Sequence, residues 1–210
     1  RIFSEELGDV LNVVAKKINL IIECPDGVRP LRLVGREGRI EGNNVEINLN
    51  QLYGGQEKFA LVEVAVPAAK PGDRREIAVA RVTYDDPFTQ KSESATARAV
   101  SRFSADREEV KASANVVVQK DVTLNEAAVA KEEAIKLGDL GKNQEAAAAL
   151  RQNAKQMQSL AEELDDADLR REAKEMESSA SKIESRGMGK SDRKWLRSDS
   201  YQTINQQRAQ

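Results

Sequence analysis

Three aspartates, Asp165, Asp166 and Asp168, form the densest acidic group in the sequence and are the first candidates for a cation site. A calcium loop needs oxygen ligands at alternating spacing, a glycine for the turn and a distal bidentate glutamate. None of these follows here. The same residues suit an N-cap and first helical turn, where side-chain oxygens accept from free backbone N–H groups and acids meet the positive end of the macrodipole. Asp85-Asp86 ahead of Pro87 reads as a turn that ends a strand. Gly35-Arg36-Glu37-Gly38 lacks the lysine, the Ser/Thr and the following helix of a phosphate loop. Cys24 alternates with Ile22 and Leu20 and reads as a buried, inert thiol. The sequence contains no histidine. That removes imidazole ligands, the Ser-His-Asp triad and the Cys-His pair together. No catalytic residue, no metal ligand and no cofactor is expected, and the chain is not expected to be an enzyme.

The remaining chemistry is that of contact. From Arg186 the chain turns locally basic, with Lys190, Arg193, Lys194, Arg197 and Arg208 against Asp192 and Asp199, and it carries the single tryptophan, Trp195. Trp195, Leu196 and Tyr201 among these cations are the candidate partner-binding residues, suited to an acidic groove of a partner or of this chain's own helices. The alternative is a flexible terminus, or an arm folded back on the strands. Nucleic acid is not expected as a partner: one aromatic among a few cations is generic, and the net charge is −2.

The elements that would position these residues fall into two textures. Up to about residue 105, short alternating stretches are separated by Gly, Pro, Asn and Asp: Ile18 to Cys24, Leu31 to Val34, Val45 to Leu49, Phe59 to Val66, Ile77 to Tyr84 and Ala95 to Ser104. The period of two marks half-buried strands. The stretch from Asn44 through Tyr53-Gly54-Gly55-Gln56 to Pro67 reads as a β-hairpin or sandwich-edge unit. About seven short strands at roughly ten-residue spacing predict an antiparallel β-sandwich over 15–105. Ala97, Ala99 and Phe103 are expected to form the small inner face of the last strand.

Beyond Asp106 proline is absent and Ala, Glu, Lys and Gln dominate. Ser104 or Asp106 can cap a helix starting at Arg107, read as one long helix, with the valine run at 116–118 leaving a strand as the alternative. A helix end is expected at Leu137-Gly138 to Gly141, a second helix from Asn143, and a third capped at Asp165-Asp166 and running to about Ile183. Short loops make these antiparallel neighbours, a helical hairpin or three-helix unit over 106–185, followed by a basic polar tail over 186–210. The fold class expected is α+β with the two kinds of element segregated along the chain. No window is apolar enough to span a bilayer. The chain opens on Arg1 in mid-pattern and is read as a processed or truncated piece. No compartment is fixed, the cytoplasm being expected ahead of the periplasm or the exterior.

Ile2-Phe3-Ser4-Glu5-Glu6-Leu7-Gly8-Asp9-Val10-Leu11-Asn12-Val13-Val14-Ala15, with apolar residues at helical spacing, resembles the last helix of a von Willebrand factor A domain. The later Leu49-Asn50-Gln51-Leu52-Tyr53-Gly54-Gly55-Gln56-Glu57 and Ser198-Asp199-Ser200-Tyr201-Gln202-Thr203 are similar to the C-terminal portion of bacterial proteins carrying such a domain, of the calcium-activated chloride-channel-like or inter-alpha-trypsin-inhibitor heavy-chain type. The resemblance implies that 1–14 is the end of a lost A domain, that a β-sandwich and an Ala/Glu-rich hairpin follow it, and that any divalent cation belongs to the DxSxS site of the missing domain. It implies a non-enzymatic module that scaffolds the metal-dependent domain and offers surfaces to protein partners. Those partners include the upstream A domain region and, through open sheet edges, a second copy. The alternative is a helical adaptor gripping a peptide with the tetratricopeptide-like hairpin LGDLGKNQEAAAALRQNAK; one such unit is too few for a solenoid groove.

Overall fold

The computed structural model describes residues 12–205. The chain divides into two compact units, Arg1–Ser113 and Ala114–Gln210. The expected helix over 1–14 lies almost wholly outside the described residues. Where it can be compared it is corrected: Val13 and Val14 open a strand, β1 (Val13–Glu23).

The first unit holds seven strands among the described residues, β1, β2 (Arg29–Val34), β3 (Arg39–Glu41), β4 (Asn44–Tyr53), β5 (Leu61–Ala65), β6 (Arg74–Asp86) and β7 (Lys91–Arg102). Every pairing is antiparallel, in a five-stranded sheet of order β3-β4-β1-β6-β7 and a two-stranded sheet β2-β5. Alternation fixes the register. Leu20 and Ile22 of β1 sit opposite Ile47 and Val45 of β4 on one side and Val82 and Ala80 of β6 on the other. One face of three strands is therefore apolar, and Val45 and Ile47 are 0% exposed. Leu33 of β2 and Val62 of β5 pack on this face, and Val64 joins Cys24, Val28 and Ile77 beside it. Cys24 is buried as expected, and burial pushes its thiol pKa up, away from the thiolate.

The β4–β5 hairpin is not formed. Both edges of β4 are taken, by β1 and β3, and β5 pairs with β2. Residues 54–60 are longer than a tight turn, and β5 carries apolar residues on both faces, so crossing to the second sheet buries more than folding back would. The Ala face of β7 is also corrected. It continues the core face of β6, with Ala95, Ala97 and Ala99 opposite Val82, Ala80 and Ala78, yet every residue of β7 is exposed.

Asp106 caps a helix as expected, its carboxylate accepting from Glu108 and Glu109 N–H at 2.9 and 3.3 Å. The helix is short, α1 (Arg107–Ala112), and the long helix read across 107–135 is two. Asn115 supplies a fresh N-cap, accepting from Val117 and Val118 N–H at 3.0 and 3.2 Å, so the valine run forms a first helical turn. There it avoids the crowding that β-branched residues meet in a helix interior.

The second unit is α2 (Val116–Asp139), α3 (Asn143–Glu163), α4 (Ala167–Arg186) and α5 (Lys190–Ile204). Its core is alanine-rich. Ala134, Ala146, Ala147, Ala161 and Ala180 are 0% exposed, with Leu150, Met157, Met176, Ile183 and Leu196 filling the remainder. Small residues let the helix axes approach closely. α2 ends at Asp139, within the expected stretch Leu137-Gly138 to Gly141, and Gly138 has a second role. A Cβ there would lie 2.8 Å from that of Met188, so the glycine admits a methionine against α2. The turn comes at Gly141, whose φ of 75° favours glycine.

Asp166 caps α4, accepting from Asp168 and Leu169 N–H at 3.0 Å each. Its carboxyl is held below the ordinary carboxylate range, first by the Lys120 ammonium at 2.5 Å and then by the Leu169 N–H. A depressed folded-state pKa contributes stability that is present at neutral pH and lost as pH falls below the ordinary value near 3.8. Asp166→Ala is expected to cost about 0.5–2 kcal/mol and to flatten the acid limb of the stability curve. Urea midpoints at pH 7 and pH 3 check this; equal losses at both pH values would contradict it.

Candidate partner-docking face

Residues 186–210, read as a polar tail, contain the structured helix α5. Gly187, at a φ of 80°, breaks α4, and the Met188 N–H donates to Asn143 Oδ1 at 3.3 Å. Asp192 then draws the new helix start together, accepting from the Gly189 N–H at 3.0 Å and from the Arg186 guanidinium at 2.9 and 3.0 Å. Leu196, Ser200 and Thr203 follow at helical spacing and are buried. Ser200 donates to Glu132 on α2, and Arg193 pairs with Asp139.

At the junction of α2, α4 and α5 lies Lys131, 1% exposed. Its ammonium is 2.5 Å from Glu172 on α4 and 2.5 Å from Asp199 on α5, and 5.4 Å from the centroid of the Trp195 ring. One cation thus ties three helices with the bonds a buried ammonium requires. Neither Lys131 nor Glu172 was singled out in the sequence, and Asp199 was read only as an acid of the basic tail. A signal existed: Lys131 falls on the stripe Ala127, Ala128, Ala134, Ile135, where a helix should be apolar.

The ion pairs sort the charges of α5. Both of its acids are spent on the chain itself, Asp192 on Arg186 and Asp199 on Lys131. Of its cations, Arg193 is paired with Asp139, whereas Lys190, Lys194 and Arg197 make no ion pair among the described residues. Together with Ser198 and Tyr201 they line a shallow depression of about 450 Å³. On the other flank Trp195 lines a groove of about 630 Å³ against α4, with Arg171, Lys174, Ser178 and Lys182.

The three candidate contact residues are therefore not one patch. Leu196 is 0% exposed and belongs to the core, which removes it as a surface contact. Trp195 is 38% exposed and Tyr201 58%, on different flanks of the helix. The inner face of the tetratricopeptide-like hairpin is also filled, since Ala146, Ala147 and Leu150 are fully covered by the chain's own helices. Among the described residues no group of three or more His, Cys, Asp or Glu is placed to hold a metal ion, and no helix is long and apolar enough to cross a membrane.

No family model matches the sequence, and no curated protein matches it. Among solved structures, the chain is similar to the von Willebrand factor type A protein from Catenulispora acidiphila, with a TM-score of 0.52 at 13% identity over 87% of this chain and 42% of that one. The ArnB paralog VWA2 from Sulfolobus acidocaldarius aligns with a TM-score of 0.45 at 15% identity, over 91% of this chain and 42% of that one. The chain spans less than half the length of either protein. At 13% identity the first of these likenesses is one of fold alone.

Proposed function

We propose that this chain is a non-enzymatic structural and protein-interaction module of a von Willebrand factor A domain protein. It is the sandwich-and-helices region that follows the A domain, holds that metal-dependent domain and presents the basic face of α5 to it or to another acidic protein surface. The observation that carries the reading is the sorting of charge on α5. Its acids are used internally, while Lys190, Lys194, Arg197 and Tyr201 stand outward on a rigid helix. Paired, pre-ordered elements make better docking surfaces than a mobile arm, because less conformational entropy is lost on binding. The fold likeness and the 42% span support placing the chain within a longer protein of that type.

Two measurements test this. The gene sequence ahead of Arg1 is expected to encode a domain with a DxSxS stretch; its absence would remove the A-domain part of the proposal. The separately produced A domain, with magnesium bound, is expected to bind this chain, and Lys194→Glu with Arg197→Glu to weaken that binding by about tenfold or more, mainly through a slower on-rate that depends on salt. Unchanged affinity of the double variant would show that α5 is not the docking face.

A further inference from the structure

The two edges of the five-stranded sheet are unlike. The β3 edge is three residues long, Arg39–Glu41, and closes into a turn at once. Such a stub is how proteins blunt an edge. The β7 edge is twelve residues long, has β6 as its only strand neighbour among the described residues and is exposed throughout. Its backbone direction can be read. The Phe103 N–H donates to Asp73 O at 2.9 Å, and the Phe103 carbonyl accepts from Gly72 N–H at 2.7 Å, so this residue faces the β6 side. Alternation then turns Ser92, Ser94, Thr96, Arg98, Val100 and Arg102 outward, each with an unpaired N–H and C=O among the described residues.

We infer that this edge is a homodimer interface, in which β7 of one molecule pairs antiparallel with β7 of a second copy about a two-fold axis at Ala97. The occupant follows from register. In a self-paired strand the hydrogen-bonded pairs join outward residues to outward residues. Centring on Ala97 sets Ser92 against Arg102, Ser94 against Val100 and Thr96 against Arg98, in both directions. That register uses every outward residue and forms about twelve hydrogen bonds. It places no like charges directly opposite one another. The two arginines of the strand also bring their own counter-ions, Arg98 with Glu76 at 2.6 Å and Arg102 with Glu109 at 3.3 Å. Shifting the axis by one residue, to Arg98, would oppose arginine to arginine. Across the interface, Ala97 faces its own mate in a non-hydrogen-bonded pair, at Cα separations of about 4.5 Å, within disulfide range.

The inference is independent of the A-domain reading and is tested on the whole chain. Sedimentation should show a concentration-dependent species of twice the 23.2 kDa monomer mass. Thr96→Pro removes an outward N–H while leaving the pairing with β6 intact, and should raise the dimer dissociation constant by about tenfold or more. Under mild oxidation Ala97→Cys should form a disulfide-linked dimer at least about tenfold faster than Ala95→Cys or Ala99→Cys alone, while the combined Ala95→Cys/Ala99→Cys chain should trap as Ala97→Cys does. The native Cys24 is buried and does not compete. A monomer at about 100 μM, a dimer indifferent to Thr96→Pro, or equal trapping at all three positions overturns the inference. The trapping series still decides if the proline variant fails to fold.

Discussion

Lys131→Met is expected to lower the stability of the helical unit by about 3–5 kcal/mol, the cost of breaking a buried ion pair from one side. The side chain is 1% exposed, and its two carboxylate partners, Glu172 and Asp199, are 14% and 18% exposed. Methionine keeps the volume and the apolar stem, so the loss is of charge and not of packing. Two carboxylates from different helices would then face each other without the ammonium between them. Exposed pairs set the contrast: Arg151 with Glu177 and Glu184, at 3.1 and 2.6 Å, lies at the surface, where water screens the attraction and removing one partner strands no buried charge. Trp195, the only tryptophan, has its ring 5.4 Å from the ammonium, so its fluorescence reports unfolding of the helical unit alone. Because the penalty is electrostatic, it should be relieved when the facing carboxylates are replaced by neutral amides. Adding Glu172→Gln and Asp199→Asn to Lys131→Met should recover most of it. A loss that is not recovered by the neutral partners would mean that Lys131 acts by packing alone.

That the key charge lay unseen in the sequence has a physical reason, and it separates what was legible from what was not. Helix starts could be read because the cap is local: Asp106 and Asp166 accept from N–H groups two and three residues on. Alternation also located β1, β2, β4, β5, β6 and β7, and the short loops located the starts of α3 and α4. Partner choice in the sheet is not local. Nothing within Asn44–Pro67 records that β1 and β3 occupy both edges of β4. The packing role of Gly138 was unreadable for the same reason, since the demand for glycine comes from Met188 far along the chain. In the terminal segment, basic composition masked a helix whose apolar content is slight. Leu196, Ser200 and Thr203 form its inward stripe, and two of those three are polar. The candidate contact residues were thus chosen by side-chain type, and burial then divided them, with Leu196 inside and Trp195 and Tyr201 outside.

Leu196→Ala is expected to release α5 without unfolding the rest. Leu196 is 0% exposed and is the one large apolar side chain α5 places in the core. Truncating it should cost about 2–5 kcal/mol. The other anchors, Asp199 on Lys131, Ser200 on Glu132, Asp192 on Arg186 and Arg193 on Asp139, are polar. They are strong only while the helix is seated and water is excluded. As the last described helix, α5 can open as its own cooperative unit, so the loss falls on its docking equilibrium. Hydrogen exchange should show α5 amides losing protection by about thirtyfold or more, the factor that 2–5 kcal/mol implies, while α3 and α4 keep theirs. Tyr201→Ala, at an exposed position, should change protection little, within about 0.5 kcal/mol. The comparison also separates two ways of losing a partner. Leu196→Ala would abolish docking by freeing the helix, whereas Lys194→Glu with Arg197→Glu would weaken it with α5 still protected. If Leu196→Ala instead lowers protection evenly across α2, α3, α4 and α5, the four helices unfold as one, and the docking face is as stable as the core beneath it.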